Sequence, residues 1–318
     1  MTDGKRCPEA ARKREMDRKA VLEIGTNSVK LLVGERTGAS SWKVVFDGNE
    51  VLRLGEGLGG SGSLSPEAMD RTVRGAGDFL RKARTLGAPS VFAAGTMALR
   101  RASNAEAFAR RFLEETGEPL HVLSGETEAL YSYRGVLSGG GGFAGECTVF
   151  DIGGGSTEVI WGRDGEIFRK LSADLGVVSL SEMFFPGAPS PEEDVKEAVS
   201  FVRKVLKGAG VGGIPPLLAG TGGTVTSMAA VKLGLRPYDG NAVQGQLLSL
   251  EEVQNQIRLY ASCSMEMRRN IPGLSPKREE VILAGACIVL GMMQSFSAAS
   301  CLVSDRGLRH GLLESLLQ

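Results

Sequence analysis

The sequence predicts an α/β protein made of two similar domains facing each other across a cleft, and three observations lead there. The chain has 318 residues, long for one hydrophobic core and comfortable for two. Strand-like and helix-like segments alternate along it, twice over, which is the pattern of layered α/β architecture. The third observation is an internal repeat. Glu23 and Asp151 lie 128 positions apart, and the same offset relates Val21 to Val149, Ile24 to Ile152, Gly25 to Gly153, Ser28 to Ser156 and Gly34 to Gly162. Each copy reads as an apolar strand, an acid near its end, a small polar turn and a returning apolar strand.

Taken in order, 20–34 reads as strand, turn, strand. Residues 66–86 form a helix, because Ser65 is a good N-cap and Pro66 suits the first helical position. VFAAG (91–95) is a short buried strand. A helix at 104–116 opens at Asn104 and closes near Gly117, and LHVLS leads into a helix at 126–137. The glycines from Gly139 to Gly145 make a flexible loop. Strand, turn and strand return at 148–162, with a further strand near 166–172 and helices at 176–184 and 191–208. PLLAG (216–220) is a strand running into a glycine turn and a helix at 223–233. The remainder is mainly helical, with a late strand at 299–304 and a last helix from about Gly307.

Composition removes several function classes. Lys+Arg and Asp+Glu are 37 each, so the whole-molecule field suits no nucleic acid, and any anion must be held by local charge. The five cysteines are odd in number, widely spaced and without a CxxC pair, as expected of reduced thiols in a cytoplasmic protein. Two histidines, His121 and His310, are too few for a histidine-rich metal site and argue against a Ser-His-Asp triad. Chemistry therefore falls to carboxylates, hydroxyls and backbone. Residues 1–19 are charged, lack an apolar core and read as a disordered tail rather than a secretory signal. The uncharged run 281–303 is long enough to span a bilayer, but Gln294, Ser295, Ser297 and Ser300 interrupt it. A buried helix to about Met293 followed by a buried strand is the better reading.

Three glycine turns are suited to an anion, although a plain hairpin turn with solvated carboxylates is the simpler reading of GGGST taken alone. Gly153-Gly154-Gly155-Ser156-Thr157 lets backbone N–H groups converge without a Cβ in the way and adds two hydroxyls. Gly25-Thr26-Asn27-Ser28 offers the same from the other repeat. Asp151 and Glu158 flank the first of these turns, and hard carboxylate oxygens are what magnesium takes when it bridges to phosphate. The third turn, Gly220 to Thr224 with Gly222 and Gly223 at its centre, runs from a strand into a helix whose N-terminus suits an anion; close strand–helix packing explains it equally well. It has no P-loop pattern. Glu126 and Glu128 open the helix at 126, where acids complement the dipole, and Arg100 follows VFAAGTMAL as either a surface residue or a phosphate clamp.

VLEIGTNSVKLLVGE, VFAAGTMALRRASN, VLSGETEALYSYRGV, TVFDIGGGSTEVIWG, SADLGVVSLSEMFF, LLAGTGGTVTSMAAV and VSDRGLRHGLL occur in that order. Together they resemble the exopolyphosphatase / guanosine pentaphosphate phosphohydrolase family of the actin–Hsp70–sugar kinase superfamily, in its short two-domain form. The resemblance implies two actin-like domains, 20–126 with about 305–318, and 127–304. It implies magnesium- or manganese-dependent release of terminal phosphate, with Glu128 as general base. Glu23, Asp151 and Glu158 would serve the metal, and Arg100 with the glycine turns would hold phosphate. Inorganic polyphosphate is the expected substrate and guanosine pentaphosphate the alternative; a non-catalytic polyphosphate or alarmone sensor is the reading from another class. No feature calls for a partner protein, and a homodimer is left open. Four positions depart from the family pattern: Glu23 for aspartate, Lys30 for arginine, Gln244 for histidine and His310 for glutamate.

Overall fold

Two sheets grow from the two copies of the repeated hairpin. The computed structural model describes residues 18–38, 41–140, 142, 143 and 145–317. In the first copy, β1 (Arg18–Ile24) and β2 (Ser28–Arg36) run antiparallel with Ile24 opposite Val29 and Glu23 opposite Lys30. In the second, β6 (Glu146–Ile152) and β7 (Thr157–Arg163) keep the register, with Ile152 opposite Thr157 and Asp151 opposite Glu158. The described residues divide into two compact units. One comprises the chain up to Ser124 together with Leu312 onward; the other is Gly125–Gly311.

In the first unit the sheet order is β3-β2-β1-β4-β5, where β3 is Trp42–Val51, β4 Val91–Gly95 and β5 Leu120–Val122. β4 lies parallel to β1, a pairing that needs a crossover, supplied by α1 (Pro66–Thr85). Ser65 caps α1 by accepting the Ala68 N–H, with Pro66 at the first helical position. Two further helices follow, α2 (Met97–Arg101) and α3 (Ala105–Thr116), the latter closed by left-handed Gly117. Asn104 precedes α3 but does not cap it through its side chain; its amide instead bonds both backbone groups of Leu64. Ala20, Leu22, Ile24, Leu31, Val33, Leu80 and Phe108 share the core. The expected tail lies outside the described residues up to position 17. Arg18 and Lys19 belong to β1, where Arg18 pairs with Glu35.

The second unit opens with α4 (Gly125–Leu137) and carries the order β10-β11-β9-β6-β7-β8. β8 is Glu166–Ala173, β9 Leu218–Thr221, β10 Leu247–Ser249 and β11 Ser300–Val303. The longer helices are α5 (Val177–Phe184), α6 (Glu192–Gly208), α7 (Gly223–Leu233), α8 (Leu250–Ser262) and α9 (Ile282–Ser295). The uncharged run at 281–303 resolves into α9 and β11. Residues Ile282 to Met293 are all buried, so α9 is apolar all round because it runs through the core. No helix among the described residues is long and apolar enough to cross a membrane. Cys147, Cys263, Cys287 and Cys301 are buried free thiols.

Both sheets thus share a three-stranded antiparallel meander, extended on the far side of its first strand by parallel β4 and β5 in one unit and by parallel β9 and β11 with antiparallel β10 in the other, the duplicated α/β fold that the sequence predicts. Backbone contact fixes α4 within its unit. A Cβ on Gly135 would lie 2.0 Å from the Gly307 carbonyl oxygen, and one on Gly311 would lie 2.0 Å from that of Tyr131. Gln244 and His310, two of the departures, brace the same segment: Gln244 Oε1 accepts the Asp305 N–H at 2.8 Å, and His310 Nδ1 accepts that of Gly307 at 3.4 Å. The last helix, α10, is Leu308–Leu317.

Gly135→Ala is expected to destabilise the protein by about 2–3 kcal/mol, because the added methyl meets backbone that cannot rotate away. Gly77→Ala, in α1 with only the flexible end of Arg81 within reach, should instead stabilise by ~0.5–1 kcal/mol. Urea melts of both variants check the pair.

Candidate active site

Asp151 and Glu158 stand directly opposite on the β6–β7 ladder, so their side chains leave the same face of the sheet. That face is covered by α4. Val149, Ile160 and Ala219 on the strands pack there against Ala129, Tyr133 and Val136 of the helix. Glu128 and Ser132 lie four residues apart in α4 and therefore on one side of it. Ser132 Oγ donates to Asp151 Oδ2 at 2.8 Å, while Glu128 is close enough to Glu158 for their charges to interact.

Glu158 is only 2 % exposed. Its Oε1 accepts two hydroxyl protons at 2.8 Å, one from Ser156 in the glycine turn and one from Ser172, its ladder partner on β8. Burial is the largest influence on this carboxyl, followed by the charges of Glu128 and Asp151; together they push its pKa up to about 8, against the two serines. Of the two turn hydroxyls, that of Ser156 thus serves an acid, and Thr157 Oγ1 donates to the Leu175 carbonyl. The N–H groups of Val177 and Val178, at the start of α5, bond the carbonyl oxygens of Gly153 and Gly154. With these carbonyls tied back and the Gly153 N–H donating to Ser156 O, the amides of Gly154 and Gly155 are what the turn can offer an anion.

The third glycine turn reaches the same place. Thr221, the end of β9, is the ladder partner of Asp151. Gly222 follows in the left-handed region at φ 92°, and a Cβ there would lie 2.7 Å from the Ile152 carbonyl and 3.0 Å from Asp151 Oδ1. Only glycine fits so near the acid. Gly223 begins α7, and the guanidinium of Arg278 lies against it, so close that a Cβ on Gly223 would overlap it. Arg278 is buried, and desolvation pulls its pKa down to about 10. Thr224 turns its side chain toward α9, into the space left by Gly285. Sequence reasoning passed over Ser132 and Ser172. Ser132 was detectable as the residue four beyond Glu128, but nothing local marks Ser172 or sets Arg278 apart from the chain's other Arg/Lys pairs.

In the first unit, the turn Gly25-Thr26-Asn27-Ser28 closes like its counterpart: Gly25 N–H to Ser28 O is 2.9 Å, and Gly153 N–H to Ser156 O is 2.9 Å. Its Thr26 and Asn27 carbonyls are likewise engaged, by amides of Gly55 and of Leu52 and Arg53. Glu23 Oε1 accepts from Lys30 Nζ at 2.8 Å. Arg100, on α2, donates to the Leu123 carbonyl at 3.0 Å. Of the acids expected to serve a metal, the fold makes neighbours of Asp151 and Glu158 and places Glu23 in the other unit. Among the described residues, no three His, Cys, Asp or Glu side chains are gathered so as to hold an ion unaided.

The profile of the Ppx/GppA phosphatase family matches residues 33–318. The chain belongs to that family. Ppx/GppA membership makes it a phosphatase, a hydrolase. It is 30% identical to exopolyphosphatase 1 of Mycobacterium leprae over 306 residues, covering 93% of this chain and 88% of that one. It is 28% identical to the bifunctional 3-dehydroquinate synthase/phosphatase of Fusobacterium nucleatum over 302 residues, 90% of this chain but only 45% of that longer protein. Among solved structures, an Aquifex aeolicus Ppx/GppA family member superposes with a TM-score of 0.78 at 30% identity, covering 94% of this chain and 97% of that one. An exopolyphosphatase from Cytophaga hutchinsonii gives 0.84 at 25% identity, with the same coverage of each chain.

The raised pKa of Glu158 sets a pH dependence in metal-free protein. The folded state holds this proton more tightly than the unfolded chain, whose carboxyl titrates near the ordinary 4.5. The resulting stability is present in full below that value and is lost as pH rises through about 8. Thermal melts in chelator should show Tm falling across this window, and a Glu158→Gln variant should flatten the slope.

Proposed function

We propose that this Ppx/GppA phosphatase hydrolyses the terminal phosphate of inorganic polyphosphate, with Glu128 as general base. The observation that supports this most is the convergence, inside one unit, of Glu128, Asp151 and Glu158 beside two glycine turns and the buried Arg278. The family's exopolyphosphatases of similar length add to it.

The amides of Gly154 and Gly155, the N-terminus of α7 and Arg278 suit the phosphate oxygens. On the other repeat, the 25–28 turn and Arg100 offer similar groups. In the reaction, a water oxygen bonds to the terminal phosphorus as the bridging P–O bond breaks. Glu128 accepts the proton released by the water, and the shortened chain leaves with the bridging oxygen. Positioning and charge cancellation do most of this work, since phosphoryl transfer asks for little covalent help. Ser132 and Ser172 hold Asp151 and Glu158 in place for it.

The donor set fits magnesium or manganese. Two carboxylates with hard oxygens, and no complete protein cage, match a cation that keeps its waters and shares the phosphate oxygens. Asp151 and Glu158 would hold it, and when bound it supplies neutralisation of the phosphate charge.

One observation favours the second substrate, guanosine pentaphosphate. A shallow cavity of about 390 Å³ lies between Glu126, Thr127 and Leu130 of α4 and Ile167 to Lys170 of β8. Phe168 there is 62 % exposed, a surface on which a base can stack.

Phosphate release with magnesium, comparing long-chain polyphosphate with guanosine pentaphosphate, tests the proposal. Glu128→Gln should lower kcat by about 10²–10⁴-fold with little change in KM. Full turnover in this variant would remove Glu128 as the base. A Phe168→Ala variant impaired only on the guanosine compound would move the assignment to that substrate, and binding without hydrolysis of either would make the protein a sensor.

A further inference from the structure

The repeat places the Glu23–Lys30 rung of the first unit in register with the Asp151–Glu158 rung of the second. Both rungs sit next to hairpin turns closed by the same 2.9 Å bond, from Gly25 to Ser28 and from Gly153 to Ser156. Their charges differ. One rung carries two carboxylates, whereas the other carries a carboxylate and an ammonium in contact at 2.8 Å, with side-chain exposures of 11% and 22%. We infer that Lys30 is the built-in counter-ion of the first hairpin, that it makes Glu23 a positioning residue rather than a metal ligand, and that a divalent cation loads on the second unit's acids alone.

This rests on the reading of Asp151 and Glu158 as the cation's carboxylates. The argument for Glu23 is electrostatic. A divalent ion bonded to its carboxylate would lie within a few ångströms of the Lys30 ammonium in a largely desolvated setting, where like charges repel far more than in water. Unless Lys30 swings away, and so gives up its 2.8 Å bond, the ion has no place on that oxygen. On the Asp151–Glu158 rung the situation is reversed: both ladder partners are acids, and two carboxyl groups on one face gain from a cation. Glu23 and Lys30 face each other across one ladder rung, where the length of the glutamate lets its carboxylate meet the compact ammonium. The first hairpin is left with zero net charge beside its turn. A turn whose acid is already neutralised repels an incoming phosphate less than one bearing a bare carboxylate.

Two measurements on the full chain test this. The first is Mn²⁺ binding, followed by calorimetry and by the electron paramagnetic resonance of free Mn²⁺, for the wild type, Glu23→Gln and Asp151→Asn. The expected result is one ion per chain, an affinity unchanged within about twofold in Glu23→Gln, and an affinity reduced by roughly 10–100-fold in Asp151→Asn, the size of loss typical of disturbed metal sites. Equal losses in the two variants would overturn the inference, since Glu23 would then be a ligand. No loss in either would instead defeat the cation reading of Asp151 and Glu158, and the confinement of the ion to the second unit with it.

The second measurement is thermal unfolding in chelator of Glu23→Gln, Lys30→Met and the double variant, which needs neither metal nor turnover. Lys30→Met should lower Tm more than the double variant does, because the single change strands Glu23 without its counter-ion. Additive shifts would show that the pair is not coupled, and would overturn the counter-ion role even if the Mn²⁺ result came out as expected. A Lys30→Arg variant that restores most of the Tm distinguishes lost charge from lost packing.

Discussion

Two carboxylates facing each other on one rung of a β-ladder, with a third from the covering helix, form the arrangement on which the second unit depends. Buried like charges are unfavourable unless hydrogen bonds, a retained proton or a cation offset them. The structure supplies the first two: serine hydroxyls from a helix, a turn and a neighbouring strand bond Asp151 and Glu158, and Glu158 keeps its proton well above the ordinary carboxylate range. For these acids the cost is accepted beside turns suited to phosphate. That coincidence is what marks the acids as a candidate site.

The covering helix has to come close for this to work, and glycine decides how close. Gly135 and Gly311 let the backbone of α4 touch the 307–311 segment, which sets the height of Glu128 and Ser132 above the sheet. The repeat treats the sheets alike in this respect. Gly162 leaves room for Tyr133 of α4, and Gly34, 128 positions earlier, leaves room for Leu313 of α10. Geometry has been retained between the two copies while charge has not. A ladder rung fixes where two side chains point but not what they carry, so the same hairpin holds an ion pair in one unit and an acid pair in the other.

Much of this was legible beforehand. The Ser65-Pro66 start of α1, the Gly117 stop of α3, the whole extent of β4 and of α7, and both hairpins follow from local signals, namely caps, left-handed glycines and apolar runs. β3 was not anticipated. It is an edge strand with mixed exposure, so its sequence lacks both the clean alternation of a half-buried strand and the apolar run of a central one. The short α2 went unseen for a related reason, since five residues are too few to show a helical period. Among site residues, the acids and glycine turns stood out by type and spacing. Ser172 and Arg278 did not, because each reaches the site from a segment distant in sequence.

By itself, then, the sequence determined the α/β class, the duplication, the family and the residue types available for chemistry, since these depend on local periodicity and on the order of motifs along the chain. Tertiary structure alone decided which of those residues became neighbours. Pairing across β6, β7 and β8 put Ser172 on Glu158, the glycine contacts set α4 over Asp151, and the β1–β2 register turned two separate departures, Glu23 and Lys30, into one ion pair. The physical reason is that a strand's register and a helix's height are set by contacts between distant segments, and a linear sequence specifies such contacts only through the folded chain.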